Sequence, residues 1–224
     1  VKVGPNAVKT ESKIKTVMFI DIVGYTKTTT QLDREQFDQL HELFDNITLP
    51  IFNDHDGKVI KKIGDAFLAT FDSATQAVLC GIDLQKSFIK NTRKLNNPFK
   101  IRVAIHTGEI IERKGDIYGS TVNTAARIEA VAKAGHIIFS ETVYNAMNKN
   151  EIKYTFIGKK KLKGVRRPVA LFKVKTTKDK YLKRRIQDKK SKKVFRKNMK
   201  NLISFIIFLA FIFGLLWFLF KLLI

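Results

Sequence analysis

Apolar positions change their period several times along the chain. From Lys15 to Val23 (KTVMFIDIV) they run almost continuously and are rich in β-branched residues, the pattern of a buried strand, with Asp21 a conspicuous carboxylate near its end. The turn-like Gly24-Tyr25-Thr26 closes it. Between Asp33 and Phe52 the spacing of Phe37, Leu40, Leu43, Phe44 and Ile47 is helical, and polar residues leading to Gly57 stop it. Lys58 to Ile63 and Ala66 to Phe71 flank Gly64-Asp65 and predict a hairpin whose tight turn presents Asp65. Ser73 caps a helix running to about Leu95, followed by a strand from Lys100 to Ile111, a loop with Gly115 and Asp116, and a helix from Thr121 to Ala132. His136 to Ser140, Tyr154 to Ile157 and Pro168 to Val174 are three further strands, with Glu141 to Met147 a short helix between the first two. The order β-α-β-β-α-β, with extra C-terminal α/β elements, predicts an α+β, ferredoxin-like sheet with helices packed on one face.

The last apolar stretch has no polar face at all. Leu202 to Phe220 (LISFIIFLAFIFGLLWFLF) carries no charge and matches the roughly 20 helical residues that cross a bilayer core. A soluble buried helix would show a polar stripe, so a single transmembrane helix is the expectation. The chain then divides into an N-terminal segment (1–13), a folded domain (14–175), a basic juxtamembrane linker (176–201) and a C-terminal anchor (202–224).

Charge sharpens this picture. The 224 residues carry a formal net charge of +22, a value that would suit a nucleic-acid binder, but much of the excess lies in Lys178 to Lys200, directly before the apolar stretch. Basic residues beside a span stay on the cytoplasmic side, which predicts a single-pass membrane protein with its domain in the cytoplasm. The same run would attract anionic headgroups, about 1 kcal/mol for each Lys or Arg near the surface. With no recognition motif beside the charge, no specific nucleic-acid partner is expected. The first 15 residues lack the apolar core of a signal peptide. A lone cysteine, Cys80, excludes a disulfide framework and reads as a small buried hydrophobe.

Asp21 at a strand end and Asp65 in a hairpin turn can point from one sheet edge toward a shared site, where two carboxylates suit hard divalent cations. Taken alone, each aspartate is as readily a solvated or capping group. The surrounding segments change that weighing: FIDIVGYT (Phe19 to Thr26), KKIGDAF (Lys61 to Phe67) and GDIYGSTVNTAARIE (Gly115 to Glu129) resemble the metal-site and nucleotide-site motifs of class III nucleotidyl cyclases. AIHTGEII (Ala104 to Ile111) and KLKGVRRPVALFKV (Lys161 to Val174) match the style of the same family, so the resemblance spans about Lys15 to Lys175.

That resemblance implies the class III cyclase fold and roles for individual residues. Asp21 and Asp65 become ligands of two Mg2+ or Mn2+ ions, with the carbonyl of Ile22 contributing to the second. Lys61 reads the base, Asp116 is its acceptor partner, Asn123 orients the ribose and Arg127 stabilises phosphate charge in the transition state. Lys163, in the LKG turn, would contact the triphosphate. An ammonium suits N1 of adenine and a carboxylate suits its N6 amine, so Lys61 and Asp116 favour ATP over GTP. In the family the metal aspartates of one chain face the base and transition-state residues of another. The full residue set therefore implies an adenylate cyclase working as a homodimer. A catalytically silent nucleotide-binding membrane regulator is the rival reading. His106 reads as a hydrogen-bonded structural histidine, and His41, His55 and His136 form no metal-ligand pattern.

Overall fold

The computed structural model describes residues 11–93, 95, 99–175 and 199. The chain separates into two compact units, 1–174 and 175–224, and the fold below is that of the first. The transmembrane helix expected at 202–220 lies outside the described residues, as does all of the basic linker except Met199. Among the described residues no helix is long and apolar enough to cross a membrane.

The elements are β1 (Glu11–Val23), α1 (Tyr25–Thr29), α2 (Arg34–Asp54), β2 (Lys58–Ile63), β3 (Ala66–Phe71), α3 (Ala74–Thr92), β4 (Lys100–Arg113), β5 (Asp116–Tyr118), α4 (Ser120–Val131), β6 (Ile137–Ser140), α5 (Glu141–Ala146), β7 (Tyr154–Lys160) and β8 (Val169–Val174). The sheet runs β2-β3-β1-β4-β6-β8-β7, with β5 paired to β4. Its first four strands are antiparallel neighbours, and β1, α2, β2, β3, α3 and β4 make the expected ferredoxin-like βαββαβ unit. The remaining strands extend it through a parallel β4–β6 pair.

Central β1 is nearly continuous in apolar character because it is paired on both edges and covered on both faces. Met18, Ile20 and Ile22 enter the main core with Leu40, Phe44 and Phe52 of α2 and Val78, Leu84 and Phe88 of α3. Val17 and Phe19 alternate to the other face, against Ala125 and Val122 of α4. The helices are therefore not all on one face. Residues Ala125 and Ile128 make α4 amphipathic toward the side opposite α2 and α3. Sequence periodicity shows that a helix has an apolar stripe but not which face of the sheet receives it.

Local signals set several boundaries. Asp33 caps α2 through a reciprocal pair: its Oδ1 accepts from the Gln36 N–H at 2.8 Å, and Gln36 Oε1 accepts from the Asp33 N–H at 3.2 Å. Ser73 caps α3 as expected, although the helix stops at Thr92, short of Leu95. The short β5 and the single turn α1 escape periodicity because each is too brief to show one. Strand β7 extends past Ile157 to Lys160, through an irregularity at Phe156/Gly158.

Candidate active site

The β2–β3 turn has two residues, and Gly64 supplies the positive φ (60°) required at the first position of a type II′ hairpin. Asp65 is thereby delivered beside the end of β1, where the Ile22 N–H donates to the Asp65 carbonyl at 3.4 Å. Asp21 is only 7% exposed. Burial, and then the facing Asp21 carboxylate, push the Asp65 carboxyl up to about 6. Two mutually repelling, partly buried carboxylates suit a hard divalent cation, which relieves that repulsion. Among the described residues no group of three or more His, Cys, Asp or Glu is arranged to hold a metal.

Sequence reasoning missed two residues here. Arg102 lies directly opposite Asp21 in the β1–β4 register, and its Nε and Nη2 both reach Asp21 Oδ2 at 2.6 Å. Its Nε also forms an ion pair with Glu129, near the end of α4. Glu129 Oε1 is buried without an aligned hydrogen bond, and burial raises its carboxyl to about 7, against the opposing pull of Arg102. A charged residue inside the apolar run of β4 was the available signal for Arg102. Its partner depended on a strand register that the sequence does not display.

Lys61 and Asp116 lie side by side. Lys61, on β2, donates from Nζ to Asp116 Oδ2 at 2.6 Å, and Asp116 Oδ1 accepts from the Ile117 N–H at 2.8 Å. The hydrogen bond from Lys61 leads in holding the Asp116 carboxyl below its ordinary range. Both groups keep an exposed edge, so a ligand can meet a donor and an acceptor already side by side.

Helix α4 is seated on β4 by close backbone approach. A Cβ on Gly108 would meet Thr121 Oγ1 at 2.6 Å, and that hydroxyl donates to the Glu109 carbonyl at 2.6 Å. With Thr124, Ala125 and Ile128 buried, Asn123 and Arg127 lie together on the exposed face. Among the described residues no hydrogen bond or ion pair joins Asn123 or Arg127 to Asp21 or Asp65. Lys163 is exposed in the β7–β8 loop, apart from these groups in the bonding pattern.

Three of the four histidines make hydrogen bonds elsewhere in the fold. His106 Nδ1 bonds with Ser140 Oγ at 2.8 Å, and burial lowers it to about 4. His41 Nε2 bonds with Tyr25 Oη at 2.8 Å, while His55 bridges Gln76 and Asp83 between α2 and α3.

The family model for the adenylate and guanylate cyclase catalytic domain matches residues 8–181. The chain belongs to this family. A solved adenylyl cyclase, CyaB from P. aeruginosa, is 28% identical with a TM-score of 0.66, covering 76% of this chain and 97% of that one. A putative adenylate cyclase from Rhizobium meliloti is 28% identical over 163 residues, 71% of this chain and 28% of that protein. The serine/threonine-protein kinase pkn2 of Myxococcus xanthus is 32% identical over 150 residues, 66% of this chain and 18% of the kinase. The chain thus spans less than a third of the length of these two curated relatives. Cyclase domains of this family bind a nucleotide, use divalent metal ions and commonly dimerise.

Proposed function

We propose that the chain is an adenylate cyclase, converting ATP to 3′,5′-cyclic AMP and pyrophosphate at sites shared between two copies. The observation that carries the choice of ATP is the preformed Lys61–Asp116 pair, a donor and an acceptor matching N1 and N6 of adenine. Relatives named adenylate cyclase support the same reading.

Mg2+ or Mn2+, held by Asp21, Asp65 and the Ile22 carbonyl, would supply charge neutralisation of the triphosphate and activation of the ribose 3′-oxygen. The chain's own residues then do the positioning. Lys61 and Asp116 fix the base, Asn123 orients the ribose, and Arg127 opposes the charge that grows on the phosphates as the 3′-oxygen attacks the α-phosphorus and pyrophosphate leaves. Lys163 is a further triphosphate contact. Because Asn123 and Arg127 face outward from their own sheet, we assign them to the metal half of a second copy.

We also propose that residues 202–220 anchor the chain in a membrane, with the domain on the cytoplasmic side and the 178–200 run against anionic headgroups. Mixing Asp21→Ala chains with Arg127→Ala chains tests the shared site. Each alone is expected to be inactive, and mixed dimers recover activity. No recovery in dimers shown to be mixed would reject it.

A further inference from the structure

Two carboxylates, Asp21 and Glu129, contact one guanidinium, that of Arg102, and Asp65 lies against Asp21 beside them. The contacts of Arg102 Nε and Nη2 with Asp21 fall on one oxygen, Oδ2. The strand register fixes the Arg102 backbone opposite Asp21, and α4 brings Glu129 to the same Nε, where its carboxyl also lies against that of Asp21. All three side chains are at most about a quarter exposed: 27% for Arg102, 10% for Asp21 and 19% for Glu129. In such surroundings a guanidinium given wholly to Asp21 would cancel the charge that draws a divalent cation.

We propose that Arg102 and Glu129 are positioning residues of the metal site, with Glu129 drawing the Arg102 guanidinium away so that Asp21 remains available to metal. The inference rests on Asp21 being a metal ligand. Arg102 orients Asp21 through Oδ2 and competes with the cation for its charge. Glu129, two residues beyond Arg127 on α4, limits that competition, and so ties the placement of α4 to the charge on the metal aspartate. A merely structural ion pair would weaken the fold equally from either end and leave cation binding alone. This arrangement instead predicts opposite effects on metal from its two ends.

The test is Mn2+ binding to the full chain without nucleotide, read at fixed pH from the electron paramagnetic resonance signal of free Mn2+. Circular dichroism checks that each variant is folded. Glu129→Gln is expected to weaken Mn2+ binding on the order of tenfold, as losses of outer partners do. Glu129→Asp, which keeps the carboxylate, is expected to restore most of it, and Arg102→Gln is expected not to weaken it. Asp21→Asn is the control. If Asp21→Asn abolishes binding while Glu129→Gln leaves it unchanged, or weakens it no more than Arg102→Gln does, the positioning role is overturned and the metal assignment stands. If Asp21→Asn itself binds Mn2+ normally, the metal assignment fails and this inference falls with it.

Discussion

The Lys61–Asp116 pair separates a binding role from a structural one. Its Nζ to Oδ2 distance is 2.6 Å, but the side chains are 41% and 27% exposed, so solvent screens it. Pairs of this kind contribute about 0–1 kcal/mol to folding. A hydrogen bond from a charged group to an enclosed base is larger, about 1.5–3 kcal/mol. Lys61→Gln or Asp116→Asn should therefore lower kcat/KM for ATP by about 10- to 100-fold, with stability changed by no more than about 1 kcal/mol. Steady-state kinetics with ATP and with GTP, alongside urea unfolding, measures both quantities. Unchanged kcat/KM for ATP would refute the base-reading role. A loss of activity that follows a loss of stability of several kcal/mol would refute the argument that the pair is structurally dispensable.

Three other outcomes follow from local geometry. Gly108→Ala places a methyl group against the buried Thr121 hydroxyl and should cost about 1–3 kcal/mol of stability. It should also lower activity by displacing α4 and its Arg127; thermal melts and kinetics read the two effects. Cys80 is fully buried, and burial raises its thiol well above the ordinary range, so a thiol reagent should label it only on unfolding. His106 is lowered by burial from 6.5 to about 4. As pH falls from 6.5 to about 4 the unfolded chain takes up a proton that the native chain refuses. The associated stability, at most about 3 kcal/mol, is complete above 6.5 and is lost progressively toward 4. His106→Gln should flatten that part of a urea-unfolding pH profile.

Much of this fold was legible because its elements are long and locally signalled. Strand β1, the capped helices α2 and α3, and the Gly64-Asp65 turn each carry a pattern that tertiary contacts reinforce. The aspartates, Lys61, Asp116, Asn123 and Arg127 stand out in the sequence as residue types in ordered motifs, and of these Lys61 and Asp116 lie in hydrogen-bond contact. What the sequence withheld was relational. Which face of the sheet receives α4 depends on how its stripe meets the sheet in three dimensions. Arg102 meets Asp21 only through the β1–β4 register, and Glu129 meets Arg102 only once α4 is seated. Brief elements such as β5 fall below the length at which periodicity speaks.

The central claim is the chemistry, and product analysis tests it most directly. The full chain, purified in detergent as a dimer, is incubated with ATP or GTP and with Mg2+ or Mn2+, and cyclic nucleotides are separated and identified by mass. The account predicts cyclic AMP and pyrophosphate in equal amounts from ATP, little cyclic GMP from GTP, and no product from an Asp65→Ala dimer. Cyclic GMP as the main product would contradict the role given to Lys61 and Asp116, and product formation undiminished in Asp65→Ala would contradict the site itself.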